Sequence, residues 1–213
     1  MHLDKELENL NIMLLKMADV VQRNIMESFT LYKDKKFASG LTINDDIVDQ
    51  YERLVEEICL NIILKERPYA KDLRKVTGIL KMVADLERIG DHAEDIFEFN
   101  NKLQKYEKVK VQQIEDMVTT ALSMVNDSIL SFIKEDVNLA EEVIKRDDII
   151  DKTYEDLISY LIEENKQGKI SSAFAIYTSL VIKYIERIAD HAVNIAEWVV
   201  YIINGFHKDR RIF

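Results

Sequence analysis

Proline, glycine and cysteine are all scarce in this 213-residue chain, which holds 1 Pro, 5 Gly and 1 Cys. All-β sandwiches and barrels need many tight turns, so so few turn formers disfavour them. A lone cysteine makes no internal disulfide. Cys59 lies in the apolar run Ile58-Cys59-Leu60, and the expectation is a buried, inert thiol in a reducing compartment. Positive charge is also in deficit, 29 Lys+Arg against 39 Asp+Glu, giving a net charge of -10 and a pI near 5.0. That balance argues against a nucleic-acid partner held by a general electrostatic field. No apolar run approaches the ~20 residues of a membrane-spanning helix. The longest candidate is Trp198 to Ile203, and the N-terminal residues MHLDKELENL are too charged for a secretory leader. The expectation is a cytoplasmic protein.

What is present is helical periodicity. Leu7, Leu10, Leu14, Met17, Val21, Ile25 and Phe29 recur at steps of three and four, the stripe of an amphipathic helix from about Leu3 to Tyr32. A break at Asp34 or at Ser39-Gly40 leads into a second helix ending near Arg67. Pro68 then starts a third, because its ring disfavours helix at Arg67 and suits a first turn. The third helix runs to about Leu103. It contains Gly78 and Gly90, each costing about 1 kcal/mol against alanine, which points to close approach by a neighbour. After the polar stretch Gln104 to Lys110 come helices at about Val111–Ile133, Val137–Asn165 and Ser171–Asn204. Gln167-Gly168-Lys169 makes a turn and Gly205 a C-cap; the charged tail from Phe206 is expected to fray.

The second half repeats the first. Glu87-Arg88-Ile89-Gly90-Asp91-His92-Ala93 and Glu186-Arg187-Ile188-Ala189-Asp190-His191-Ala192 differ only at Gly90/Ala189, at an offset of 99. Asp45-Asp46-Ile47-Val48-Asp49 matches Asp147-Asp148-Ile149-Ile150-Asp151 at 102, and Ser28-Phe29 matches Ser131-Phe132 at 103. Near-constant offsets in one order indicate duplication of a three-helix unit. The predicted fold is all-α, two tandem three-helix bundles over 1–106 and 107–213, packed together as one globular unit.

Each half therefore carries two acidic pairs at spacing four: Asp45/Asp49 and Glu87/Asp91, then Asp147/Asp151 and Glu186/Asp190. Residues four apart share a helix face. Glu98 extends the Glu87–Asp91 stripe and Glu197 the Glu186–Asp190 stripe, at the edge of the apolar face, where a wet and accessible site is expected. Like charges at this spacing cost about 0.2–0.5 kcal/mol per pair, relieved in part by Arg88, Arg187 and Arg53. Solvated acidic faces produce single pairs of this kind by chance. Recurrence in both halves favours metal binding, and all-oxygen ligand sets suit Mg, Ca, Mn and, as clusters, iron or zinc.

His92 and His191 follow the carboxylate stripe by one residue, about 100° around the helix, and are read as packing or surface residues rather than ligands. No histidine has a glutamate three positions before it, which disfavours a ferritin-like di-iron enzyme. Phosphate-cradling glycine loops, zinc cysteine pairs and a serine nucleophile elbow are all lacking, and no catalytic nucleophile emerges. Trp198 with Val199, Val200 and Tyr201 is either an exposed partner patch or core, and core packing is favoured.

The segments Asp85 to Ala93 and Ile185 to Ile195 resemble the signature of the PhoU family, as do Pro68 to Arg74 before the first and Tyr201 to Gly205 after the second. The resemblance spans nearly the whole chain. It implies two repeated three-helix bundles acting as a non-enzymatic regulator of high-affinity phosphate uptake. The implied partners are the phosphate ABC transporter and the sensor histidine kinase of phosphate-starvation signalling, with the membrane reached only through them; a second copy of the chain is a further candidate. It also implies multinuclear metal clusters, iron or zinc, on Asp45 with Asp49, Glu87 with Asp91, Asp147 with Asp151, and Glu186 with Asp190. Asp95 stands where the second half has Asn194, and Gly90 where it has Ala189, so a difference between the two sites is expected. The alternatives are a metal-free helical adaptor and a carboxylate-cluster hydrolase.

Overall fold

A computed structural model describes residues 2–33, 43, 45–106, 111–207 and 210–211. Six helices carry the fold: α1 (His2–Lys33), α2 (Asp45–Glu66), α3 (Ala70–Leu103), α4 (Gln112–Lys134), α5 (Val137–Lys166) and α6 (Ser172–Asn204). The expected break between the first two helices lies outside the described residues, as does 107–110 of the expected linker.

Local chemistry accounts for the helix ends in the second half. Asp136 caps α5 by accepting from the Leu139 N–H at 3.2 Å, and Ser171 caps α6 by accepting from Phe174 N–H at 3.1 Å. Gly205, at φ 80°, ends α6 with its N–H on the Tyr201 carbonyl at 2.8 Å. That turn brings the chain back on itself. Phe206–His207 pairs antiparallel with Arg210–Arg211, where fraying was expected, because backbone groups leaving the helix find each other. Pro68 behaves differently from expectation. Arg67 takes the left-handed conformation at φ 48° and ends α2, so Pro68 precedes the N-cap Tyr69 rather than entering the first turn of α3.

The helices form two trios, α1–α2–α3 and α4–α5–α6, joined through α3 against α6 and α1 against α4. Among the described residues α2 and α5 pack only within their own trio. Along α3 and α6 the contacts run in opposite order. Gly78 lies beside Ile202, Asp85 meets Asn194 at 3.1 Å, the His92 and His191 rings are 5.5 Å apart, and Phe99 lies 6.1 Å from Tyr177. The two helices are thus antiparallel. His92 and His191 are repeat equivalents, so a pseudo-twofold axis passes between them. Fully buried Val83, Leu86, Ile89 and Ile96 of α3 and Ile182, Ile185, Ile188 and Ile195 of α6 belong to one continuous core, each such side chain worth about 1.5–3 kcal/mol in burial.

Cys59 is buried as expected, its thiol directed at the Val76 carbonyl at 3.7 Å, and burial pushes its pKa up to about 12. Trp198 packs on the core, edge-on to Tyr201 at 5.8 Å. No helix among the described residues is long and apolar enough to cross a membrane.

Gly78 shows why α3 tolerates a glycine. A Cβ there would lie 2.6 Å from Ile202 Cδ1 and closer still to Ile202 Cγ1, with the Trp198 carbonyl behind. Overpacking of this kind costs about 1–3 kcal/mol, against about 1 kcal/mol gained in helix propensity. Gly78→Ala is therefore expected to lower stability by a net ~1 kcal/mol. A denaturant midpoint equal to or above wild type would show that the two trios can separate slightly at no cost.

Candidate metal centre

Each acidic cluster sits in the groove where the second helix of a trio packs against the third. On α2, Asp49 and Glu52 are three apart and face α3; on α3, Glu87 and Asp91 are four apart and face back. Asp49, Glu52 and Glu87 each offer a carboxylate oxygen, and the three oxygens lie within 4.8 Å of one another. Asp45 opens α2, but its side chain lies outside the described residues. Arg88 bridges the α3 pair, Nη1 to Asp91 at 2.9 Å and Nε to Glu87 at 3.4 Å, while Arg53 reaches Asp49 at 3.8 Å from the rim.

These carboxylates are less wet than the spacing alone implied. The Glu87 side chain is only 18% exposed, and burial, reinforced by Asp91, pushes its carboxyl up to about 7. Arg88 pulls the other way, and Glu52 and Asp49 across the groove push it further up. Burial also raises Glu52, with Glu56 and Asp49 adding to it. Carboxyls raised in this way mark burial first, and beside it negative charge with too little positive charge to offset it.

The second trio places Asp147 and Asp151 on α5 near Glu186 and Asp190 on α6, but among the described residues no three of these acids bring oxygens as close together as Asp49, Glu52 and Glu87 do. Burial pushes the Asp147 carboxyl up to about 6, and Asp151, Asp190 and Glu186 all contribute in the same direction, so the four groups share one region of field. Asp190 is raised by burial and by Glu186, against Arg187 and Lys183. Arg187 lies 3.6 Å from Asp190 and 4.0 Å from Glu186, a looser form of the bridge that Arg88 makes in the first trio. Asp147 Oδ1 is buried and accepts no hydrogen bond.

Sequence spacing missed Glu52. It falls on the Asp49 face, three residues on, but its counterpart in the second trio is Tyr154, so a search for acids present in both halves passes over it. Glu98 is held by Lys102 at 3.3 Å, two turns beyond Asp91. Asp95 and Asn194 are not in the clusters, because the antiparallel docking of α3 and α6 turns both to the seam between the trios. There Asp85 Oδ1 accepts from His191 Nδ1 at 2.9 Å and from Asn194 Nδ2 at 3.1 Å. Across the pseudo-twofold, Tyr184 donates to Asp95 and its ring lies 5.3 Å from that of His92. Burial pushes His92 down to about 4, with His191 and both arginines adding to it, so its ring is neutral near pH 7. Both histidines therefore belong to the seam.

Fold and clusters together define a class: a duplicated three-helix protein with one carboxylate-lined groove in each trio. Comparison with known proteins narrows it. The PhoU domain model matches twice, over residues 14–99 and 114–199. A phosphate-specific transport system accessory protein PhoU homolog from Aquifex aeolicus is 37% identical over 212 residues, covering 96% of this chain and 94% of its own length. A homolog from Thermotoga maritima is 32% identical over 210 residues, covering 96% and 90%. The crystal structure of the phosphate transport system regulatory protein PhoU from Streptococcus pneumoniae superposes with a TM-score of 0.88 at 27% identity, covering 98% of this chain and all of that one. PhoU from Pseudomonas aeruginosa gives 0.86 at 29%, covering 95% and 99%. The chain belongs to the PhoU family, whose members are regulatory accessory proteins of phosphate transport and not enzymes. The hydrolase alternative is set aside on that ground.

Proposed function

We propose that this chain is a metal-binding regulator of high-affinity phosphate uptake and phosphate-starvation signalling, working by docking to the phosphate ABC transporter and to a sensor histidine kinase. Family membership supports the phosphate side of this reading. One observation carries the metal: the oxygens of Asp49, Glu52 and Glu87 converge within 4.8 Å from two different helices. A cation is what makes such convergence favourable. The donor set fits, since hard and borderline cations accept all-oxygen shells, and Asp147 Oδ1 is a buried acceptor with no hydrogen bond to satisfy it. Asp49, Glu52, Glu87 and Asp91, with Asp45, would hold metal in the first trio, and Asp147, Asp151, Glu186 and Asp190 in the second.

A cation held there would supply positive charge. Asp49 and Glu52 on α2 would share it with Glu87 on α3, and Asp147 and Asp151 on α5 with Glu186 and Asp190 on α6. Arg88 and Arg187 hold the outer carboxylates in place at the groove edge. Metal biases docking only so far as the docked form binds it more tightly than the free form does.

Elemental analysis of untagged protein, purified without chelator, tests the reading. Two or more equivalents of iron, zinc or manganese are expected, falling by about half in the Glu87→Gln/Asp91→Asn double variant. Loss of all metal in that variant would overturn two independent sites. An absence of metal after supplying each ion in turn would reduce the clusters to a charged docking face, the metal-free adaptor.

A further inference from the structure

The two grooves are not equivalent, and the difference lies in one side chain. Lys183, on α6, directs its ammonium into the second cluster, 2.7 Å from both Oε1 and Oε2 of Glu186. The same ammonium lies over the Tyr154 ring, with Nζ 4.9 Å from the centroid. The repeat equivalent of Lys183 is Ala84, and that of Tyr154 is Glu52. So where the first groove has a third converging carboxylate and no lysine, the second has an aromatic ring and a resident cation. The matched arginines differ the other way, Arg88 standing closer to its carboxylates than Arg187 does, but both side chains are more than half exposed. Rim charges differ the other way, Arg53 against Glu155, but Arg53 is 71% exposed and stands 3.8 Å from its partner. Lys183 is half as exposed and is held by both oxygens of a carboxylate whose own side chain is 13% exposed.

We propose that Lys183 is an internal counter-ion which ranks the two sites: metal fills the α2–α3 groove first, and enters the α5–α6 groove only by displacing the Lys183 ammonium from Glu186. The inference rests on the metal-binding reading above. Physically, a metal at Glu186 has to replace a charge-assisted contact to both oxygens, whereas a metal at Glu87 replaces only the edge contact from Arg88. Tyr154 cannot supply the ligand that Glu52 supplies. Both differences weaken the second site. A regulator built this way responds to metal in two separate concentration ranges.

The test is equilibrium dialysis of apo protein against Zn(II), Mn(II) and, without oxygen, Fe(II), each alone. Wild type should bind in two unequal steps, the tight one lost in Asp91→Asn and the weak one in Asp190→Asn. Lys183→Met keeps an unbranched aliphatic side chain without the charge and should tighten the weak step about tenfold. Ala84→Lys, at an exposed position that tolerates a long side chain, should weaken the tight step by a similar factor and leave the other unchanged. A merely structural lysine would not move the two steps in opposite directions. Equal steps in wild type, or a weak step unmoved by Lys183→Met, would overturn the ranking while leaving metal binding intact. Failure of every variant and of wild type to bind any of the three metals would overturn the metal reading, and the ranking with it.

Discussion

Replacing Asp85 with alanine is expected to lower the stability of the fold by about 2–3 kcal/mol, the effect of leaving two half-buried donors without an acceptor. Asp85 Oδ1 serves His191 and Asn194, which stand 106 and 109 residues away in the chain. A carboxylate only accepts, so His191 carries its proton on Nδ1, and no rotation of the ring replaces the lost partner. The bond matters because α3 against α6 is the principal contact between the trios. In a chain of this length the expected shift in Tm is about 5–10 °C downward. Asp85→Asn keeps one carbonyl acceptor and should cost about half as much. A double-mutant cycle with His191→Ala isolates the pair, with an expected coupling of about 1–2 kcal/mol. Additive losses would mean that His191 is held by packing against His92 and not by Asp85.

The seam shows where reasoning from sequence stops. A rotation of 100° per residue correctly turns His92 and His191 away from the carboxylates. It says nothing of what they meet, because their approach to 5.5 Å depends on the antiparallel docking of α3 and α6. The same holds for Asp95 and Asn194. Their inequality is legible in the sequence, where it points to the acidic sites, whereas docking places both at the seam. Helix ends were legible wherever a side chain or a glycine caps them, at Asp136, Ser171 and Gly205. At Arg67 a residue with no left-handed preference adopts φ 48°, and Pro68 shifts accordingly. Spacing four finds acids on one helix face, since that geometry is internal to a helix. How deep the face lies is set by the neighbouring helix, hence a half-buried Glu87 in place of an open stripe. Glu52 and Lys183 share one cause of invisibility: the duplication that reveals the acidic pairs also hides whatever the halves do not share.

Stability of the metal-free protein is expected to fall as pH rises towards 8, and Glu87→Gln should abolish much of that fall. The Glu87 carboxyl titrates at about 7 against an ordinary 4.5, and Asp147 at about 6 against 3.8. The folded state thus holds these protons more tightly than the unfolded chain. Their contribution to stability is fully present below the unfolded values and is lost as pH climbs through 6 and 7. His92 works in the opposite sense. Its pKa is lowered from 6.5 to about 4, so between those values the unfolded chain binds the proton better, and stability rises with pH there. Glu87 and Asp147, with Glu52 and Asp190 raised in the same sense, outweigh one imidazole below pH 6, and above 6.5 His92 no longer opposes Glu87. At about 1.4 kcal/mol per pH unit, Glu87 has a ceiling of about 3 kcal/mol, which solvent at the groove mouth reduces to about 1–2 kcal/mol. In chelator, Glu87→Gln should therefore be more stable than wild type by about 1–2 kcal/mol at pH 8 and nearly equal to it at pH 4.5. A uniform change across that range would show that burial and the neighbouring Asp91 do not raise the Glu87 carboxyl. Saturating metal should reverse the wild-type slope, because the cation competes with the same protons and gains as they leave. In Glu87→Gln/Asp91→Asn the reversal should halve, the second groove alone remaining to respond.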